Sequence, residues 1–507
     1  MPYRKHLKNQ VFWYSSANYI GFALSFFASI FLYPNNLEFL GEVRYIETIG
    51  QFLFPILLFG LPQALVKFSP QMHNYHLPRF CGMSFFIVTF LSVFVYILIT
   101  VIHHYKPFSN YTFVLYGFVL AVCYAFIDLV KSRAITLQKV KIPIFIEKVL
   151  PKIALPILFI LLIKNSLSKD QSMVFYLLFY IVLVLGLFVY LSKYSLPIFS
   201  TKYYFLFENY SVSEFLKFSF YAFLGSLGAL VAFRIDNFMI PQFLSMENNG
   251  MYSVALNISG LIGVPMAGVF ALHSPIIAQL IDDKNIEELG KKYTETATFL
   301  FWIGAIFFTL LLVSTPFISQ IFTTHALSEN FNWVVLLLGF SMLINMGTGF
   351  NSEIISFSKH YRFNLLTLFV LVVTNVVLNY YFLSQTNLKL VGVAIASTLS
   401  MTLYNLVKLW YVYKKFKILP FDMHYLYVIM LSVAVAVFTF ALPNFSSYTA
   451  TILYKGIIIL ALNTYFSYKF NLINKVKLFI DEQLEKQKKR NKKCLNKQLF
   501  KKDAFKT

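Results

Sequence analysis

The 507-residue chain is short of what soluble proteins use to stay in water. Charged side chains make up 13% of it, about half the share of a soluble domain. It has three cysteines, Cys81, Cys123 and Cys494, too scattered to frame a disulfide scaffold or a metal knuckle. No GxxxxGK[ST] loop occurs, so the chain carries no nucleotide motor, and no HExxH or Cys/His cluster offers zinc chemistry. No connection is long enough to house a catalytic domain. No nucleophile, base and orienting group stand together inside the apolar segments, and no cofactor is expected.

What is abundant is apolar and aromatic. Hydrophobic residues reach 58%, with 58 Phe and 33 Tyr, a surplus suited to lipid contact and interfacial belts. Apolar runs of about 20 residues recur along the whole length, each long enough to cross a ~30 Å hydrocarbon core. Polar breaks separate them at 11–32, 42–66, 81–103, 112–134, 145–165 and 172–194, then 214–241, 250–279, 297–321, 332–357, 363–385, 389–413, 421–442 and 448–469. The expected fold is all-α integral membrane with about 14 transmembrane helices. Arg4, Lys5 and Lys8 precede an apolar stretch too long for a signal peptide, so 11–32 is read as an uncleaved first helix.

A net charge of +21 is compatible with nucleic-acid binding, but its distribution argues against that reading. Seventeen Lys and Arg fall in alternate connections, among them Lys67, Lys131, Arg133, Lys148, Lys193, Lys292 and Lys414; the other connections hold five. That alternation places both termini and the basic connections in the cytoplasm, here a bacterial one, and no nucleic-acid partner is expected. Beyond Lys469 the chain is first amphipathic, with Leu472, Val476, Phe479, Ile480 and Leu484 at helical spacing, then strongly basic. The stretch reads as a surface helix on anionic inner-leaflet lipid or as a solvated tail.

Charged groups at the centre of a bilayer cost roughly 2.5–3.5 kcal/mol each on insertion scales and need a partner or a watery cavity. Arg234, Asp236 and Asn237 in the seventh segment are the clearest case. Arg234 lies about seven residues, roughly 10 Å, from the segment's end near Pro241. Two residues apart on a helix, Arg234 and Asp236 point in different directions and cannot pair with each other. They serve either an anionic cargo or helix–helix bridging. Arg44, Glu47, Gln51 and Pro55 form one polar stripe in the second segment, lining a cavity or joining helices. Asn345, Gly347, Gly349, Asn351 and Glu353 make a glycine-weakened run in the tenth, able to bend or to line a path. Glu353 is expected in an ion pair with a loop, and Asp128 in an interfacial pair with Lys131. Asn18 and Tyr14 in the first segment, and Asn257 and His273 in the eighth, are weaker candidates.

A weak internal repeat is visible. Gly41, Pro55 and Phe68-Ser69-Pro70 are echoed by Gly250, Pro265 and His273-Ser274-Pro275. The repeat divides the chain into six-helix bundles at 1–194 and 195–413, two added helices at 414–470, and a basic tail at 471–507. Transporters often place their site between such halves.

Three segments carry a family resemblance: Phe59-Gly60-Leu61-Pro62-Gln63-Ala64-Leu65-Val66-Lys67-Phe68; Arg234-Ile235-Asp236-Asn237 through Asn249-Gly250-Met251-Tyr252-Ser253-Val254-Ala255; and Val377-Leu378-Asn379 followed by Val391-Gly392-Val393-Ala394-Ile395-Ala396-Ser397. In order and spacing the chain resembles the polysaccharide (O-antigen-type) flippases of the multidrug/oligosaccharidyl-lipid/polysaccharide exporter superfamily. The resemblance implies a V-shaped pair of bundles alternating access to a cationic cavity. Its cargo would be an undecaprenyl-pyrophosphate-linked oligosaccharide bound for surface polysaccharide, with glycan assembly proteins as possible partners. Arg234 and Asp236 match the family's seventh-span charged pair, and Lys152 and Lys408 are further cations for the cavity. The alternatives are a cation-coupled multidrug exporter of the same superfamily, a membrane-embedded glycan-modifying enzyme, and a membrane scaffold for glycan assembly.

Overall fold

The computed structural model describes residues 2–69, 72, 76–199, 211–321, 330–473, 477 and 481. These residues are helical throughout, with short turns and no strand among them. Helix α1 (Pro2–Phe31) leads through a short turn into α2 (Leu37–Leu58) and α3 (Leu61–Phe68). Next come α4 (Leu77–Tyr105), α5 (Tyr111–Thr136), α6 (Lys141–Ile163) and α7 (Lys169–Ser192). The later part comprises α8 (Val212–Phe243), α9 (Met246–Gly260), α10 (Val264–Asp282), α11 (Ile286–Ile321), α12 (Asn330–Gly347) and α13 (Asn351–Phe357). It ends with α14 (Phe363–Gln385), α15 (Lys389–Phe416), α16 (Met423–Ala441) and α17 (Tyr448–Lys469). The amphipathic tail expected beyond Lys469 lies mostly outside the described residues, as does the side chain of Tyr14.

Local chemistry explains the boundaries. Asn36 caps α2, its side chain accepting from the Phe39 amide at 3.0 Å. The same helix ends where Phe59 and Gly60 both turn left-handed, at φ 46° and 75°, and Pro62 restarts the chain as α3. The glycine-weakened run of the tenth segment is broken outright, with Gly349 at φ 64° between α12 and α13. Helix α11 begins eleven residues earlier than the apolar run suggests, because Leu289, Tyr293, Ala297 and Leu300 form a fully buried stripe and Asn285 caps its first turn.

Eleven helices among the described residues are long and apolar enough to cross a membrane, or twelve with the bent pair Asn18–Phe31 and Tyr33–Leu58, set at 58°. The number fourteen belongs to the sequence reading. Helices α2 and α6 are not among the eleven: α2 holds Glu42, Arg44 and Glu47, and α6 holds Glu147, Lys148 and Lys152.

Helix α2 is the central packing element, against α5, α8 and α9. Helix α8 touches both α2 and α3 on one side and α14 and α15 on the other. At the lysine-poor end, α2 crosses α9 in close contact and Gln242 donates to the Tyr45 hydroxyl at 2.6 Å. At the basic end, Phe215 and Phe218 of α8 pack on Phe68 of α3 and Phe80 of α4. Helices α16 and α17 lie together on α11.

Candidate functional site

The charged faces of α2 and α6 meet in one cavity of about 540 Å³, closed by α5, α7 and α8. At one end Arg44 donates to Glu47 at 2.5 Å, and the Tyr176 hydroxyl donates to the other oxygen of the same carboxylate. The Tyr176 and Tyr180 hydroxyls are 3.4 Å apart, and Tyr124 lines the same wall. Towards the other end, Lys131 binds Asp128 at 2.7 Å and Glu147 at 3.1 Å, and Lys148 binds Glu147 at 3.0 Å. Every carboxylate in the cavity is thus held by a cation.

Two cations are left over. Lys152 from α6 and Arg234 from α8 both line the cavity, and among the described residues neither forms an ion pair or a side-chain hydrogen bond. They lie within electrostatic reach of each other and of Arg44 and Glu47. Five cations (Arg44, Lys131, Lys148, Lys152, Arg234) against three carboxylates (Glu47, Asp128, Glu147) leave a formal excess of two positive charges. Such an excess, gathered in one cavity, suits an anion.

Of the residues singled out from sequence, Arg44, Glu47, Gln51 and Arg234 converge here. Asp236, two residues further on, turns the other way, and Asn237 is held by α9 and does not line the cavity. Asp236 is buried and accepts from Asn379 at 2.6 Å, Tyr252 at 2.7 Å and Ser397 at 2.7 Å, tying α8 to α14, α9 and α15. Asn237 donates to Asn249 at 3.0 Å and Ser253 at 2.9 Å on α9. Asn257 bridges to Ser29 at 2.9 Å, joining α9 to α1. Asn345 accepts from Asn405 at 3.3 Å. Asn18 is half-buried on α1 and does not line this cavity. Lys408 is buried in α15, away from it. The loop ion pair expected for Glu353 is not formed among the described residues, whereas that of Asp128 with Lys131 is.

The sequence reading missed Glu147, Lys148 and the tyrosines. The first two left a trace, since they and Lys152 weaken the hydropathy of the sixth segment. The tyrosines left none, being indistinguishable from the many that face lipid.

No protein-family model matches the chain, and no curated protein matches it in sequence. Solved structures match in fold. The chain superposes on the lipid II flippase MurJ, in its inward closed conformation, with a TM-score of 0.67 at 13% identity, over 90% of this chain and 99% of that one. An inward-facing multidrug resistance MATE family transporter of the MOP superfamily gives 0.62 at 16% identity, over 78% and 94%. A MOP superfamily transporter from Pyrococcus furiosus gives 0.52 at 14%, over 80% and 95%. At these identities what is shared is the fold.

Proposed function

We propose that the chain, built on this transporter fold, is a flippase for a lipid-linked oligosaccharide joined to its polyprenyl carrier through a diphosphate. The observation that carries the reading is the pair Lys152 and Arg234, which face one cavity and form no ion pair among the described residues. A diphosphate diester carries two negative charges, the same number as the cavity's formal excess. Arg234 offers a planar fork to phosphate oxygens and Lys152 a point charge, and each bond of this kind is among the stronger polar contacts a protein makes. The cargo would be taken up at the basic, cytoplasmic face of a bacterial inner membrane and released outside, driven by a cation gradient or the membrane potential. On this reading, residues 1–194 and 195–413 are the two bundles that move, with 414–470 an accessory pair and both termini inside.

The resemblance to O-antigen-type flippases supports a surface-polysaccharide precursor as the cargo. A cation-coupled drug exporter would be expected to keep free acidic residues deep in both halves. Here Glu47 is committed to Arg44 and Tyr176, and Asp236 to three donors. The deciding experiment measures surface glycan and membrane-inserted protein in cells carrying Arg234→Ala or Lys152→Met. Normal insertion with lost export is expected, and unchanged export in both variants would remove the cavity from the transport route.

A further inference from the structure

The corner where the turn at 358–362 meets the end of α15 gathers cations that the cavity does not use. Lys359 and Arg362 lie in the turn, and Lys414, Lys415 and Lys417 at the end of the helix; all five are exposed. None of them forms an ion pair among the described residues. No Asp or Glu occurs anywhere between positions 354 and 421. At the same end of the molecule the 280–296 connection sets Lys284, Lys291 and Lys292 against five carboxylates, Asp282, Asp283, Glu287, Glu288 and Glu295. The unbalanced charge therefore belongs to this corner and not to the face as a whole.

Ring contacts fix the two segments against each other. Phe363 stacks on Tyr411, with ring centres 3.6 Å apart and planes 9° from parallel. His360 meets Tyr411 edge to face at 5.6 Å and Phe416 at 6.2 Å. Arg362, between His360 and Phe363 in the chain, is thereby held next to the end of α15. Lys414 stands 4.8 Å from the centre of the Trp410 ring and Lys417 5.3 Å from that of Tyr413. Trp410 and Tyr413 are themselves exposed and continue a stripe of exposed leucines, Leu399, Leu403 and Leu406, along one face of α15. On a membrane-spanning helix such a stripe meets acyl chains, and Trp and Tyr at its end sit at headgroup level.

Along α15 the surface is thus apolar, then aromatic, then cationic. A phospholipid has the same order, with acyl chains first and phosphate last, and clustered Lys and Arg at a leaflet surface attract the anionic ones. We infer that this corner is a binding surface for an anionic phospholipid of the leaflet at the basic end, its headgroup among Lys414, Lys417 and Arg362 and its chains along the α15 stripe. A neutral lipid matches the stripe but brings no net charge to the cations. A soluble phosphate meets the cations and leaves the stripe unused. The inference goes beyond the flippase reading and needs no cargo.

The test places the full chain in phosphatidylcholine nanodiscs containing increasing amounts of lipid brominated near the top of its acyl chains, which quenches nearby tryptophan. The Trp410 signal is the difference between each protein and its Trp410→Phe counterpart. Brominated phosphatidylglycerol is expected to quench half of it at a mole fraction about tenfold lower than brominated phosphatidylcholine. Arg362→Gln, Lys414→Gln and Lys417→Gln together are expected to bring the two lipids level. Lys284→Gln, Lys291→Gln and Lys292→Gln together should keep the difference. Equal quenching by both lipids in the wild type overturns the proposal, as does an equal loss in the two triple variants, which would mean a diffuse attraction to the whole face. Abolition of the preference by inorganic phosphate, beyond the effect of chloride at the same ionic strength, would assign the cations to a soluble ligand and overturn it too. None of these results touches the diphosphate cavity, whose own test reads glycan export.

Discussion

Gly41 of α2 and Gly250 of α9 stand so close that neither can carry a side chain. A Cβ on Gly41 would lie 1.7 Å from the Met246 carbonyl oxygen, and one on Gly250 would lie 1.9 Å from that of Leu37. These are the residues that open the two copies of the weak internal repeat, and in space they form one reciprocal contact. Asn249 fastens the crossing by donating to the Gly41 carbonyl at 2.8 Å.

Gly41→Ala and Gly250→Ala are each expected to force the two helices apart, at a cost of at least about 1–3 kcal/mol. Gly186→Ala on α7, where a Cβ meets nothing within 4 Å, is the control. It should be neutral or stabilising by up to about 1 kcal/mol, since alanine is the better helix former. Thermal unfolding in detergent checks the contrast, and equal melting temperatures for all three variants would contradict it.

The cluster at Glu47 makes a graded prediction. Tyr176→Phe removes one hydrogen bond to a charged group and should cost about 1.5–3 kcal/mol. Glu47→Ala strands the Arg44 guanidinium and should cost about 3–5 kcal/mol. Replacing both partners, Arg44→Met with Glu47→Leu, should recover most of that loss. A double-mutant cycle on denaturation midpoints measures the coupling.

Arg234 and Asp236 should fail in opposite ways. Asp236→Asn presents an amide to Tyr252, Ser397 and Asn379, all of them already donors, and should lower stability by about 1.5–3 kcal/mol. Arg234→Ala breaks no bond and should leave stability within about 0.5 kcal/mol while abolishing export. Folded yield read beside surface glycan separates the two.

Lys169 and Glu38 form an ion pair with both side chains largely in solvent, at 40% and 55% exposure. Lys169→Ala is expected to change stability by less than about 1 kcal/mol. A larger loss on thermal unfolding would show that this connection between α2 and α7 matters more than its exposure suggests.

Much of the fold was legible because crossing a hydrocarbon layer makes local demands. Length and apolarity mark the segments, and the glycine-weakened run with Gly349 pointed to the break before α13, whereas the break at Phe59-Gly60 falls inside a run read as one segment, 42–66. The site was legible only in part. The stripe Arg44, Glu47, Gln51 pointed to a polar face, and Arg234 to a charge too deep to be idle. Nothing local distinguished Arg234 from Asp236 in purpose, or a cavity tyrosine from a lipid-facing one.

By itself the sequence determined that these segments are apolar helices, that the tenth is weakened at Gly347 and Gly349, and which carry charges that hydrocarbon would reject. Tertiary structure alone decided where those charges go. It placed Lys152 beside Arg234, gave Asp236 three donors from three other helices, and set Lys408 apart from the cavity. Helix geometry fixes only the direction in which a side chain leaves its own axis. What it meets depends on how distant helices pack, and for a charge in a membrane that meeting separates a cargo site from a structural tie.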